Sequence, residues 1–114
     1  MIDFHSSIYK ALSAIKPTYY EMTLTHGIKT PCISYMEISN TATDEGDTLG
    51  YSRIQYQIKV WGHDIEELQA IALQIDLTLR LLGGKRVSTN EMYDRNSTMI
   101  QKILGYEFHA IENY

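Results

Sequence analysis

One switch of apolar period constrains this fold more than any other feature. From Tyr51 to Trp61 apolar residues alternate, with Ile54, Tyr56, Ile58 and Val60 on one side and Arg53, Gln55, Gln57 and Lys59 on the other. A period of two marks a strand with one buried and one wet face. From Asp64 onward Ile65, Leu68, Ile71, Ala72, Ile75, Leu79 and Leu82 recur every third or fourth position. That is the stripe of an amphipathic helix. Asp64 is the expected N-cap, with Glu67 three residues on as an Asp version of the capping box. Gly83–Gly84 is the expected C-terminal stop. Only Gly62–His63 joins strand to helix, so the two fold onto each other and bury their apolar faces together.

The flanking segments read less sharply. Ile2, Ile8, Leu12 and Ile15 have helical spacing, with Phe4 and Ala11 nearby, Asp3 as a cap and Lys16–Pro17 as the stop. Thr18–Leu24 has strand composition, and His26–Gly27 is a turn signal. Pro31–Ser39 predicts a strand in which Ile33 and Tyr35 face one way, while Met36 and Ile38 break the phase, as a β-bulge would make them. Asn40–Gly50 is polar and acidic and joins two strands, so it is a long hairpin loop or an extended β-arm. Lys85–Ser88 predicts a short strand, Ser88–Thr98 a polar turn region, and Met99–Ile111 a last strand with a kink or bulge at Gly105. The sum is an α+β domain spanning residues 1–114. Its expected core is a mostly antiparallel sheet of four to five strands, with the long helix on one face and a short N-terminal helix.

Composition narrows the function. A chain of 114 residues with 44% hydrophobic and 21% charged residues suits one globular domain. Its net charge of −4 supplies no basic footprint for gripping phosphates. No apolar run approaches the roughly 20 residues that a bilayer requires, and no signal peptide is visible. A soluble, cytoplasmic protein with no membrane partner is the expectation. Cys32, the one cysteine, lies in a strand-like run and reads as a small buried hydrophobe. Nine tyrosines suit half-buried sheets and protein interfaces equally.

The search for chemistry returns little. His5, His26, His63 and His109 are isolated, and no serine sits in a nucleophile elbow. No His/Cys spacing matches a metal site, and Asp44–Asp47 lacks the alternation and terminal glutamate of a calcium loop. Gly83–Gly84 follows a helix rather than opening one, the wrong end for a phosphate cradle. Neither catalysis nor a cofactor nor a metal is expected. Weight moves to assembly, in which strand edges and hairpins dock identical copies.

The strand–helix unit resembles one known family. Tyr56, Ile58, Val60 and Trp61, followed by Asp64, Glu66, Glu67 and Leu68, are similar to the strand and acidic-opening helix of tail-completion proteins of long-tailed bacteriophages. These are the tail-to-head joining, or tail terminator, proteins. The N-terminal helix and chain length agree. The resemblance implies a structural protein of a phage or prophage that caps the tail tube as a hexameric ring and joins the tail to the head connector. Its implied partners are copies of itself, the tail tube protein and the head completion or connector protein. DNA passes through such a ring without specific binding, and an acidic lumen would repel it. The implied location is the virion tail, after assembly in the host cytoplasm. On this reading Thr43, Asp44, Glu45, Gly46 and Asp47 form an assembly loop, and Arg53, Gln55, Gln57 and Lys59 line the lumen or a seam between subunits. For those four the other reading is a solvated sheet face. The alternative function is a non-viral α+β protein-binding module without catalysis, and a third is an enzyme using Cys32 or a histidine.

Overall fold

A computed structural model describes residues 4–20, 29–44 and 49–113, with side chains at 4–20, 29–41 and 53–109. The element order is α1 (His5–Ser13), β1 (Thr18–Tyr20), β2 (Cys32–Asp44), β3 (Leu49–Gly62), α2 (Ile65–Leu81), β4 (Lys85–Asp94) and β5 (Met99–Asn113). The five strands form one sheet in the order β1-β2-β3-β5-β4. Three of its four pairings are antiparallel; β1 runs parallel to β2, so the sheet is mixed.

The period switch is realised as expected. Ile54, Tyr56, Ile58 and Val60 are all at most 2% exposed. Their neighbours across β3 are Ile33 and Tyr35 on one side and Leu104, Tyr106 and Phe108 on the other. Onto this face α2 lowers Leu68, Ile71, Ala72, Ile75 and Leu79, and α1 adds Ile8 and Leu12. Gly62 turns the chain where an added Cβ would stand 2.8 Å from Leu68 Cδ2, so glycine permits the close strand-to-helix approach. The stripe's two ends, Ile65 at the first turn of α2 and Leu82 at its C-cap, are 43% and 37% exposed.

Both ends of α2 are capped. The Asp64 carboxylate accepts from Glu66 N–H at 3.0 Å, one residue earlier than the capping box places it. At the other end Gly83 N–H donates to Arg80 O and Gly84 N–H to Leu79 O, a Schellman closure with Gly83 at φ +93°. The helix α1 starts after Phe4 without a side-chain cap; Asp3 lies outside the described residues, as do Glu21–Leu24 and His26–Gly27.

One local expectation holds and two change in the structure. The bulge in β2 exists, with Ile38 as the extra residue between Glu37↔Tyr56 and Ser39↔Gln55. The last strand carries no bulge at Gly105; the irregularity lies opposite, in β4 between Arg86 and Ser88. A Cβ on Gly105 would stand 2.4 Å from Ser88 Oγ, so the glycine makes room for the side chain of the residue paired with it just after the bulge. Finally, β4 runs to Asp94 through a stretch whose composition reads as turn. Every one of its residues is exposed, and an edge strand needs only one hydrogen-bonded neighbour, so polar residues suit it.

Candidate functional site

Three surfaces stand out among the described residues, the first of them an arm of the sheet. The described core ends at the level of Ile54 and Phe108, yet β2, β3 and β5 continue to Asp44, Leu49 and Asn113. Thr43 pairs with Tyr51 and Asp44 with Gly50, while Leu49 pairs with Asn113. Most of Asn40–Gly50 is therefore a three-stranded β-arm rather than a loose loop. Glu45, Gly46 and Asp47 lie outside the described residues, and the side chains of Thr43 and Asp44 are likewise not described.

The second surface is the sheet face opposite the helices. Arg53, Gln55, Gln57 and Lys59 stand in one row on β3, as the alternation predicts. Two of them converge on Glu107, a residue that alternation alone did not single out. Arg53 Nε donates to Glu107 Oε1, Gln55 Nε2 donates to the same oxygen at 3.2 Å, and His109 Nε2 lies 3.0 Å from Oε2. These bonds, led by Arg53 and followed by His109 and Gln55, hold the Glu107 carboxyl down to about 2. Ser39 Oγ extends the chain by donating to Gln55 Oε1 at 3.3 Å. Lys59 belongs elsewhere: its Nζ sits 5.6 Å from the centre of the Trp61 ring, and Trp61 Nε1 donates to Ser34 Oγ at 2.9 Å. Gln57 lines a groove of about 210 Å³ with Gln55, Ser88, Ile103 and the two bulge residues, Ile38 and Val87.

The third surface is the outer side of α2 and its corner with β4. Leu73, Leu77 and Leu81 are 56%, 67% and 89% exposed, four residues apart and off the buried stripe. Near the helix end Asp76 is buried; its Oδ1 accepts from Tyr106 OH at 2.9 Å, and Arg80 Nε lies 3.0 Å from Oδ2. Arg86 Nη1 stands 3.6 Å from Oδ1. Burial first, then the Asp76 bond, pushes the Tyr106 hydroxyl well above its ordinary range, so it serves as a donor. Lys102 is buried on the same face and donates to Gln69 Oε1 at 2.7 Å and Glu91 Oε1 at 2.8 Å. Asp76 and Lys102 could be suspected from sequence only as polar residues interrupting apolar runs.

Among the described residues the catalytic candidates share no common centre. Cys32 is 1% exposed and burial pushes its thiol up, which suits a packing residue. His5 Nε2 lies 3.1 Å from Tyr35 OH. His63 Nδ1 lies 3.0 Å from the Thr98 carbonyl oxygen, so that nitrogen carries the proton. His26 lies outside the described residues. Among the described residues no three His, Cys, Asp or Glu side chains cluster as metal ligands, and no helix is long and apolar enough to cross a membrane.

No protein-family model matches the chain, and no curated protein matches it. Solved structures do match. A chain from the virion of a native gene transfer agent particle superposes with a TM-score of 0.63 over 92% of this chain and 92% of that one, at 14% identity. At that identity the likeness is one of fold.

Proposed function

We propose that this protein is a structural component of a phage or prophage tail, which caps the tail tube as a ring and joins it to the head connector. The observation that carries the proposal is the fold likeness to a virion chain across 92% of both chains. The three-stranded arm supports it, since an arm that adds little to the described core has a use when copies interlock. Copies of the chain, the tail tube protein and the head completion protein are its partners. The arm end, with Thr43, Asp44, Glu45, Gly46 and Asp47, makes contacts between proteins. The row from Arg53 to Lys59 faces the lumen or a seam, and DNA passes without specific binding. The protein works in the virion tail after assembly in the host cytoplasm, as a scaffold without catalysis or cofactor.

Electron microscopy of tail tubes with and without the protein tests this. Closed tube ends bearing a six-fold ring, and tubes of defined length, are the expected result. A chain that stays monomeric alone, with tubes and with connectors would end the proposal.

A further inference from the structure

Asp76 is the carboxylate that takes two arginines among the described ion pairs. One carboxylate neutralises one guanidinium, so the corner keeps a net positive charge. Each guanidinium carries five N–H donors in a planar fork, and each approaches Asp76 through one nitrogen. The side chains are 58% and 40% exposed, while Asp76 is held from below by Tyr106. The remaining donors are thus offered to solvent from a fixed base. We infer that Arg80 and Arg86 form a carboxylate-binding site at the corner of α2 and β4, and that its occupant is the acidic segment Asp44–Asp47 of a second copy. The inference rests on the ring reading above and gives one of its contacts a receiving site.

Three observations select that occupant. Paired guanidinium forks suit a carboxylate in geometry as well as charge. Asp44, Glu45 and Asp47 fall within Asn40–Gly50, a stretch without a basic residue, so charge is complementary. A chain of net charge −4 disfavours the other oxyanion source, a nucleic-acid phosphate. Within one copy Asp44 stands apart from Arg86 along the sheet. Arg86 pairs with Tyr106, whereas Asp44 lies level with Glu112 through Gly50. Six residues of extended strand separate those levels, roughly 20 Å. The carbonyl end of α2 opposes an anion nearby, but Leu82, Gly83 and Gly84 N–H groups already occupy the Leu79 and Arg80 carbonyls.

The test uses the full-length ¹⁵N-labelled chain and a synthetic Asn40–Gly50 peptide, reading the Arg80 and Arg86 side-chain Nε–H signals by NMR. Both signals are expected to shift saturably, with affinity about tenfold weaker at high salt. A peptide with its three acids replaced by amides should shift neither. Arg80→Gln with Arg86→Gln should weaken binding at least about tenfold. Arg86→Lys, which keeps the charge and loses the fork, gives an intermediate loss and serves if the double variant does not fold. Unmoved signals, an equal response to the amide peptide, or a stronger response to a DNA duplex would overturn the site. Peptide binding without rings on tail tubes leaves the site standing and removes the tail reading. Rings that form unchanged in Arg86→Lys and the double variant do the reverse.

Discussion

Gly83 and Gly84 follow one another after α2 and are glycines for different reasons. Gly83 has φ +93° and open space around its Cβ position, so an alanine there is strained by its backbone alone. Gly84 has an ordinary backbone, but an added Cβ would stand 2.7 Å from the Phe108 ring and 2.9 Å from the Leu79 carbonyl oxygen. Gly83→Ala is expected to destabilise by about 1 kcal/mol and Gly84→Ala by about 1–3 kcal/mol through overpacking. Urea unfolding measures both, and trimming the ring with Phe108→Leu should reduce the effect of the second substitution and not of the first. Glu107 gives a pH signature. Its folded value of about 2 lies below its ordinary 4.5, so the unfolded chain binds the proton first. The stabilisation is therefore complete above about pH 4.5 and is lost as pH falls toward 2. The stability gap between the native protein and Glu107→Gln should shrink over that window; a gap constant from pH 7 to pH 2.5 would contradict the network.

At the scale of elements, α2 carries two leucine rows with opposite duties. Leu68 and Leu79 are fully buried, whereas Leu73, Leu77 and Leu81 are exposed. Leu79→Ala should cost about 2–5 kcal/mol, while Leu77→Gln should change stability by no more than about 0.5 kcal/mol. Thermal melts of the two variants separate these outcomes. The strands differ in the same way. The central strand β3 is bonded on both sides along its length, and β4 is bonded on one side with every residue exposed. Hydrogen exchange should therefore be slowest in β3 and faster in the edge strand β4 than in β3 or β5. The bulges at Ile38 and Val87 lie on either side of the line through the pair Tyr56↔Tyr106, Ile38 toward Gln55 and Val87 toward Gln57. Bulges raise local twist and bend a strand, which places the departure of the arm beside this line.

At the scale of the molecule, shape is the informative quantity. The radius of gyration is 15.4 Å and the extents are 53 × 24 × 22 Å, whereas a compact chain of this length measures about 13 Å. The excess comes from the arm of β2, β3 and β5. An elongated monomer has a large surface relative to its core, which is poor for stability alone and useful for contact with copies. Cys32 is buried in the sheet and takes no part in these surfaces. On the proposed tail reading, Cys32→Ala should leave ring assembly on tail tubes intact, as counted in electron micrographs, and lost assembly in a folded variant would contradict a purely packing role for Cys32.

Local chemistry by itself determined the strand–helix unit, its glycine stop, the bulge at Ile38 and the α+β class. Each follows from side-chain period, capping or turn preference over a few neighbouring residues, and the tertiary structure has no reason to override them. Only the tertiary structure decided that β1 runs parallel, that β4 persists to Asp94, and that Asp76 gathers Tyr106, Arg80 and Arg86. Those outcomes depend on partners far apart in the chain: an edge strand borrows its order from β5, and a buried carboxylate is tolerable only where distant donors meet it. The Glu107 network belongs to the same class. Alternation placed Arg53 and Gln55 on one face, but the register of β5 against β3 brought Glu107 and His109 to them.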